Sequence, residues 1–168
     1  MNKTELLAWL NAQHAEFRAV VDPLSPARWN ETGMAGFWTM KDVLAHLTGW
    51  NRRLVADIQA VRRGEPKPPP PWPAELEEDD DKVNAWIYES NRGLSPSDLL
   101  ADEQQVFEQL LAVVESFPAD VKIETVTDEG REFYLIHWEG TRLHPGEFFD
   151  HYRDDHEAEV KAWLAGEN

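Results

Sequence analysis

Thr39-Met40-Lys41-Asp42-Val43-Leu44-Ala45-His46-Leu47-Thr48-Gly49-Trp50-Asn51-Arg52-Arg53-Leu54-Val55-Ala56-Asp57-Ile58-Gln59-Ala60-Val61-Arg62-Arg63-Gly64 is the stretch that decides the fold. Thr39 with Asp42 three residues later is an N-cap pattern, because a side-chain oxygen can accept from the free backbone donors of a helix start. Val43, Leu47, Trp50, Leu54, Ile58 and Val61 then recur with the 3.6-residue period of one buried helix face. Arg62-Arg63-Gly64 closes the helix with cations at the negative dipole end and a glycine suited to the left-handed cap.

Working outward, the same period appears three more times. Asn2 and Glu5 make a capping box ahead of Leu6, Leu10, Gln13, Phe17, Val20 and Val21, and Asp22-Pro23-Leu24-Ser25-Pro26 ends that helix. A third helical region carries Val83, Trp86, Ile87 and Asn91. It meets Gly93 and restarts at Ser95-Pro96-Ser97-Asp98 with Leu99, Val106, Leu110, Val113, Val114 and Phe117. Two helices and one kinked helix both fit this pattern. The last helix is expected from near Pro145 to Leu164, with Phe149, Tyr152, His156, Val160 and Trp163 on one buried face and Gly166 after it. Residues 121–138 alternate weakly around Asp128-Glu129-Gly130, as a short hairpin or an irregular excursion would. Glu65-Pro66-Lys67-Pro68-Pro69-Pro70-Pro71-Trp72-Pro73 is an extended proline-rich crossover, read as a strap held on the bundle by Trp72. The expectation is an all-α, four-helix bundle forming a single domain over residues 1–168.

Composition narrows the chemistry. The chain has 168 residues and a net charge of −16, from 16 Lys+Arg against 32 Asp+Glu. Such a balance disfavours phosphate backbones and anionic membranes, so neither nucleic acid nor membrane is an expected partner. The chain contains no cysteine, which leaves His and carboxylate as the ligands for any metal. No apolar run approaches the length of a membrane span, and the expected location is the cytoplasm.

Two constellations carry chemistry. His46, His151 and His156 fall on helices that should face each other, the way helix bundles build metal sites. His151 and His156 are five residues apart, about 140° around a regular helix, so they cannot both face inward without a departure from α geometry. A π-bulge would bring both to His46. Alternatively Asp155, four residues from His151, would substitute for His156. The structural alternative is that His156 hydrogen-bonds inside the bundle beside Tyr152 while His151 lies on the surface. The second constellation is a pocket for a flat organic molecule, formed by Trp38, Trp50, Trp86 and Trp163 with His14, Asn51 and Tyr152 as polar handles. Core filling by the eight tryptophans is the competing explanation. His137 and His144 are expected on surface or loop.

Trp38-Thr39-Met40-Lys41-Asp42-Val43-Leu44-Ala45-His46-Leu47-Thr48-Gly49-Trp50-Asn51 resembles the second helix of the DinB-like four-helix bundles. The Gly-Trp-Asn continuation, the proline-rich crossover and His151-Tyr152-Arg153-Asp154-Asp155-His156 through Lys161-Ala162-Trp163-Leu164 are most similar to the ClbS/DfsB branch, whose namesake is a colibactin self-resistance protein. The wider superfamily implies a divalent metal such as zinc or nickel on His46, His156 and a third ligand, with thiol-dependent transferases or isomerases among its members. The ClbS/DfsB branch implies instead metal-independent binding and hydrolysis of a reactive electrophile. Together these readings predict a small-molecule pocket in which His46 or Asn51 orients water and Tyr152 or His156 donates a proton. Two alternatives stand beside it: a metal-dependent hydrolase or thiol transferase centred on His46, and a non-enzymatic homodimer scaffold.

Overall fold

The computed structural model describes residues 1–128 and 130–166. Helix α1 spans Lys3–Val21, the short α2 Pro26–Trp29, α3 Met40–Arg63, α4 Asp80–Asn91 and α5 Pro96–Glu115. Strands β1 (Ile123–Asp128), β2 (Arg131–Trp138) and β3 (Thr141–Leu143) follow. The chain closes with α6 (Glu147–His151), a π turn over Tyr152–His156, and α7 (Glu157–Ala165). Among the described residues no helix is long and apolar enough to cross a membrane.

The local signals explain the long helices. Asn2, Thr39 and Ser95 each cap a helix by a complete capping box with Glu5, Asp42 and Asp98. Gly64 ends α3 at φ 67°, a left-handed conformation in which a Cβ would be strained. The third helical region is two helices, α4 and α5, separated at Arg92–Ser95. The short α2 has no counterpart among the sequence expectations; Ser25 caps it and Trp29 anchors it in the core.

The structure corrects the all-α expectation. Residues 123–143 form a three-stranded antiparallel sheet in the order β1-β2-β3, with Ile123 opposite Ile136 and Ile136 opposite Leu143. Alternation supplies the reason: Tyr134 and Ile136 point to the same buried side of β2. They join a core cluster with Leu6 and Leu10 of α1, Ile58 of α3 and Phe107 and Leu110 of α5. Trp9 meets Tyr134 edge-to-face at 5.0 Å. Of the Asp128-Glu129-Gly130 stretch read from the sequence, Glu129 lies outside the described residues.

A second cluster fills the other end of the bundle with Phe17, Val21, Trp29, Met40, Leu44, Val160 and Trp163. The proline-rich strap packs through Trp72, which joins Val83 and Ile87 of α4 in a third cluster. Arg53 of α3, 7% exposed, ties the strap down through Pro68 O at 2.9 Å and Glu77 at 2.8 Å. Where α3 crosses α4, Gly49 is the contact: a Cβ there would lie 2.8 Å from Ile87 Cδ1.

Candidate metal centre

His46 lies in the middle of α3 with 6% of its surface exposed. His151 and His156 come from the last helix, and the π turn decides how they are presented. Within Tyr152–His156 the chain follows the wider register, and Glu157 N–H bonds to Tyr152 O, five residues back. One extra residue per turn removes the angular mismatch between positions 151 and 156. Both imidazoles consequently face His46, with ring centroids 4.7 Å and 5.3 Å from it. His46 Nε2 and His151 Nε2 are 3.0 Å apart, and one ring nitrogen from each of the three residues lies within 4.8 Å of the others.

This donor set fits a metal ion. Nitrogens bound tetrahedrally at the usual zinc distance stand about 3.4 Å apart, near the 3.0 Å between His46 Nε2 and His151 Nε2 and inside the 4.8 Å that bounds all three residues. Both ring nitrogens of His156 are buried without a hydrogen-bond partner, an arrangement that costs free energy unless something else occupies one of them. Burial, reinforced by the facing His151 and His156, pushes the His46 pKa down to about 3, with the nearby Asn84 side chain pulling the other way. Burial and then His156 also lower that of His151, opposed by Asp155. The neutral imidazoles favoured in this way are the form that ligates metal. Asp155, offered above as a substitute ligand, is exposed and 3.7 Å from His151 Nε2, outside the histidine cluster.

Two cavities meet at these histidines. One, of about 650 Å³, is bounded by His46 and His151 with Trp50, Asn51, Trp72 and Arg53. The other, of about 680 Å³, lies on the His156 side and includes Phe37, Trp38 and Tyr88. Asn84 lines both, and its Oδ1 accepts from Trp50 Nε1 at 3.0 Å. The sequence reading missed Asn84, although a polar residue beside Val83 and Ile87 on the buried stripe of α4 was the available signal.

The other expected pocket residues separate. Trp50 and Asn51 line the first cavity and Trp38 the second, with the Trp38 ring 5.2 Å from His46. Trp86 packs partly buried beside the Trp72 cluster and lines neither cavity. Trp163 is 2% exposed in the core, with the Arg28 guanidinium 3.8 Å from its ring centre. His14 faces away altogether: it stacks on Phe107 at 3.8 Å and its Nε2 bonds to Glu103 at 2.9 Å. Aromatic and histidine side chains on an inward stripe have the same spacing whether they meet core or cavity, so periodicity could not separate these cases. Tyr152 packs edge-to-face on Phe17 at 5.0 Å. Its buried hydroxyl borders a small void shared with Asn51 and Glu103, and burial raises its pKa to about 12. His137 is on β2 rather than in a loop, 2.6 Å from Glu124, and His144 follows β3.

Solved structures share the fold. An uncharacterised protein from Escherichia coli UTI89 is 16% identical, with 99% of this chain and 95% of that one covered at a TM-score of 0.66. An uncharacterised protein from Clostridium difficile 630 is 13% identical, with 98% and 96% covered at 0.67. A Streptococcus pneumoniae protein is 16% identical, with 98% and 91% covered at 0.63. No curated protein matches the chain. The family model described as "Mycothiol maleylpyruvate isomerase N-terminal domain" matches residues 10–145. That family is itself DinB-like, in agreement with the coarse resemblance read from helix α3. The chain belongs to the mycothiol maleylpyruvate isomerase N-terminal domain family.

Proposed function

We propose that the protein is a divalent-metal-dependent enzyme acting on a small reactive organic molecule. The observation that carries this reading is the convergence of His46, His151 and His156, with both ring nitrogens of His156 buried and without a hydrogen-bond partner. His46 and His151 would ligate through Nε2, and His156 through one of its ring nitrogens. Zinc or nickel bound there would act as a Lewis acid and lower the pKa of a water or thiol at an open position. The family description names a thiol, mycothiol, and an isomerase, which supports thiol-assisted isomerisation or transfer alongside hydrolysis as the reaction class.

The protein's own groups have separate tasks. Trp50 and Trp72, with ring centres 4.9 Å apart, offer a surface against which a flat apolar group is shielded from water. Asn51 and Asn84 provide amide groups at the wall of that cavity to orient a substrate. Arg53 is already engaged with Pro68 and Glu77, and it holds the cavity wall in place.

A second reading keeps the ClbS/DfsB branch: hydrolytic detoxification of an electrophile without metal. It is favoured by the position of Asn51 and His46 on one tryptophan-lined cavity, where either could orient water. His156 or Tyr152 would then donate the proton, Tyr152 remaining protonated because burial raises its pKa. Metal analysis of tag-free protein purified without chelator separates the two. About one zinc or nickel ion per chain, lost in His46→Ala, supports the metal enzyme. Protein that stays metal-free after incubation with both ions overturns it and leaves the metal-independent reading.

A further inference from the structure

The two cavities at the histidines differ in chemistry. Arg53 and Lys67 contribute to the Trp50 cavity, whereas no Lys or Arg lines the cavity beside His156. Its aromatic wall consists of Phe37, Trp38 and Tyr88, and its carboxylates are Asp81, Glu89, Asp155 and Glu159. Phe37 is 72% exposed, by far the most exposed of the large apolar side chains described. It stands on a tight turn in which Trp38 N–H bonds to Ala35 O and Met34 N–H bonds to Trp38 O. Gly36 takes φ 65° in that turn, a left-handed conformation that favours glycine. Tyr88 meets the Phe37 ring edge-to-face at 6.1 Å.

An exposed phenyl ring is ordinary in isolation. Here it borders a cavity of about 680 Å³ whose floor includes His156, with both ring nitrogens buried and lacking a hydrogen-bond partner. Aromatic faces attract cations through the ring quadrupole, and nearby carboxylates add a field of the same sign. Glu89 is partly compensated by Arg92 at 3.1 Å, but that arginine lies outside the lining. An anionic ligand group would meet only repulsion from these carboxylates, and a neutral one would gain nothing from them.

We propose that the cavity formed by Phe37, Trp38 and Tyr88 is a subsite for an organic cation, an alkyl- or arylammonium group of the molecule transformed at the histidines. The assignment of that molecule as substrate rests on the metal-enzyme reading above; the binding of the cation does not. Substrate would lie across His46 and His156, its ammonium group in this cavity and its reacting part toward the Trp50 cavity. Asn84 borders both halves.

The test uses choline as probe and 3,3-dimethylbutanol, its neutral counterpart of the same shape, titrated by ligand-observed NMR at constant ionic strength. Choline should bind at least tenfold more tightly than the alcohol. Phe37→Ala should weaken choline at least tenfold while leaving the net charge of −16 unchanged, which separates a built subsite from the general field of an acidic protein. Leu164→Ala, which truncates an exposed apolar side chain lining neither cavity, should leave choline binding unaltered. Equal binding of the two probes, or an unaffected Phe37→Ala variant, overturns the proposal. Zinc stoichiometry in the same samples keeps the two readings apart: zinc bound with no preference for choline overturns the cation subsite alone, and choline bound without zinc overturns the metal enzyme alone.

Discussion

Two regions of this protein bury histidine on the inward face of a helix, and they treat it in opposite ways. His14 of α1 is 8% exposed, stacked on Phe107 and bonded to Glu103, which also lies 3.4 Å from Arg18. His46 is 6% exposed, yet it faces two further imidazoles, and both ring nitrogens of one of them, His156, have no hydrogen-bond partner. In the first region the protein satisfies the imidazole itself; in the second it leaves nitrogens for something else to satisfy. Burial of a histidine therefore does not mark a site, and the identity of its partner does.

Substitution at each region breaks or sharpens that contrast. The largest effect is expected on metal affinity. His46→Ala or His156→Ala should weaken zinc at least 100-fold in competition with a chromophoric chelator, because a three-histidine site loses a ligand outright, whereas His14→Ala should change it less than twofold. Comparable losses in His14→Ala would erase the distinction between the regions. Deleting Asp154 comes next. The deletion absorbs the extra residue of the π turn and leaves the two histidines four apart on an ordinary α register, still on one face, so zinc affinity should fall less than tenfold while far-ultraviolet circular dichroism stays helical. A zinc loss as large as that of His46→Ala would show that the site needs the π turn itself rather than the shared face it creates.

Stability reverses the order of the regions. Glu103, 2% exposed, is the partner of His14, so Glu103→Ala should cost about 3 kcal/mol in urea unfolding of the metal-free protein. His156→Ala should cost less than 1 kcal/mol there, because it removes buried nitrogens that have no hydrogen-bond partner. A large loss for His156→Ala would mean that its ring is structural. The last effect is pH-dependent. His46 has a folded pKa near 3, below its ordinary 6.5, so the unfolded chain binds the proton first on acidification. The His46 contribution to metal-free stability is full above pH 6.5 and declines as pH falls toward 3. A chemical-denaturation series in which His46→Ala shows the same slope over that window would contradict it.

The main supports of the fold were legible from short-range pattern. Thr39 with Asp42 marked the start of α3 and Gly64 its end, because caps depend on residues within one turn. The strap and its Trp72 anchor followed from proline's inability to continue a helix. The sheet was weaker in the sequence: only a weak alternation over residues 121–138 around Asp128-Glu129-Gly130 announced it, and β3 is three residues long. Glu103 lies among Leu99, Val106 and Leu110 and resembles the solvated acids around it in every local respect. Only its contact with α1, 89 residues away at His14, makes it a buried partner.

By itself the sequence determined the capped starts of α1, α3 and α5, the strap, the absence of cysteine and the three histidines that a site would need. It also limited the spacing problem of His151 and His156 to two solutions, because helical periodicity is a local property. Only the tertiary structure decided between them. The π turn, the partners that separate His14 from His46, and the placement of Asn84 between two cavities depend on which faces of α3, α4 and the last helix meet. That choice is made by packing among residues distant in the chain, which local patterns do not encode.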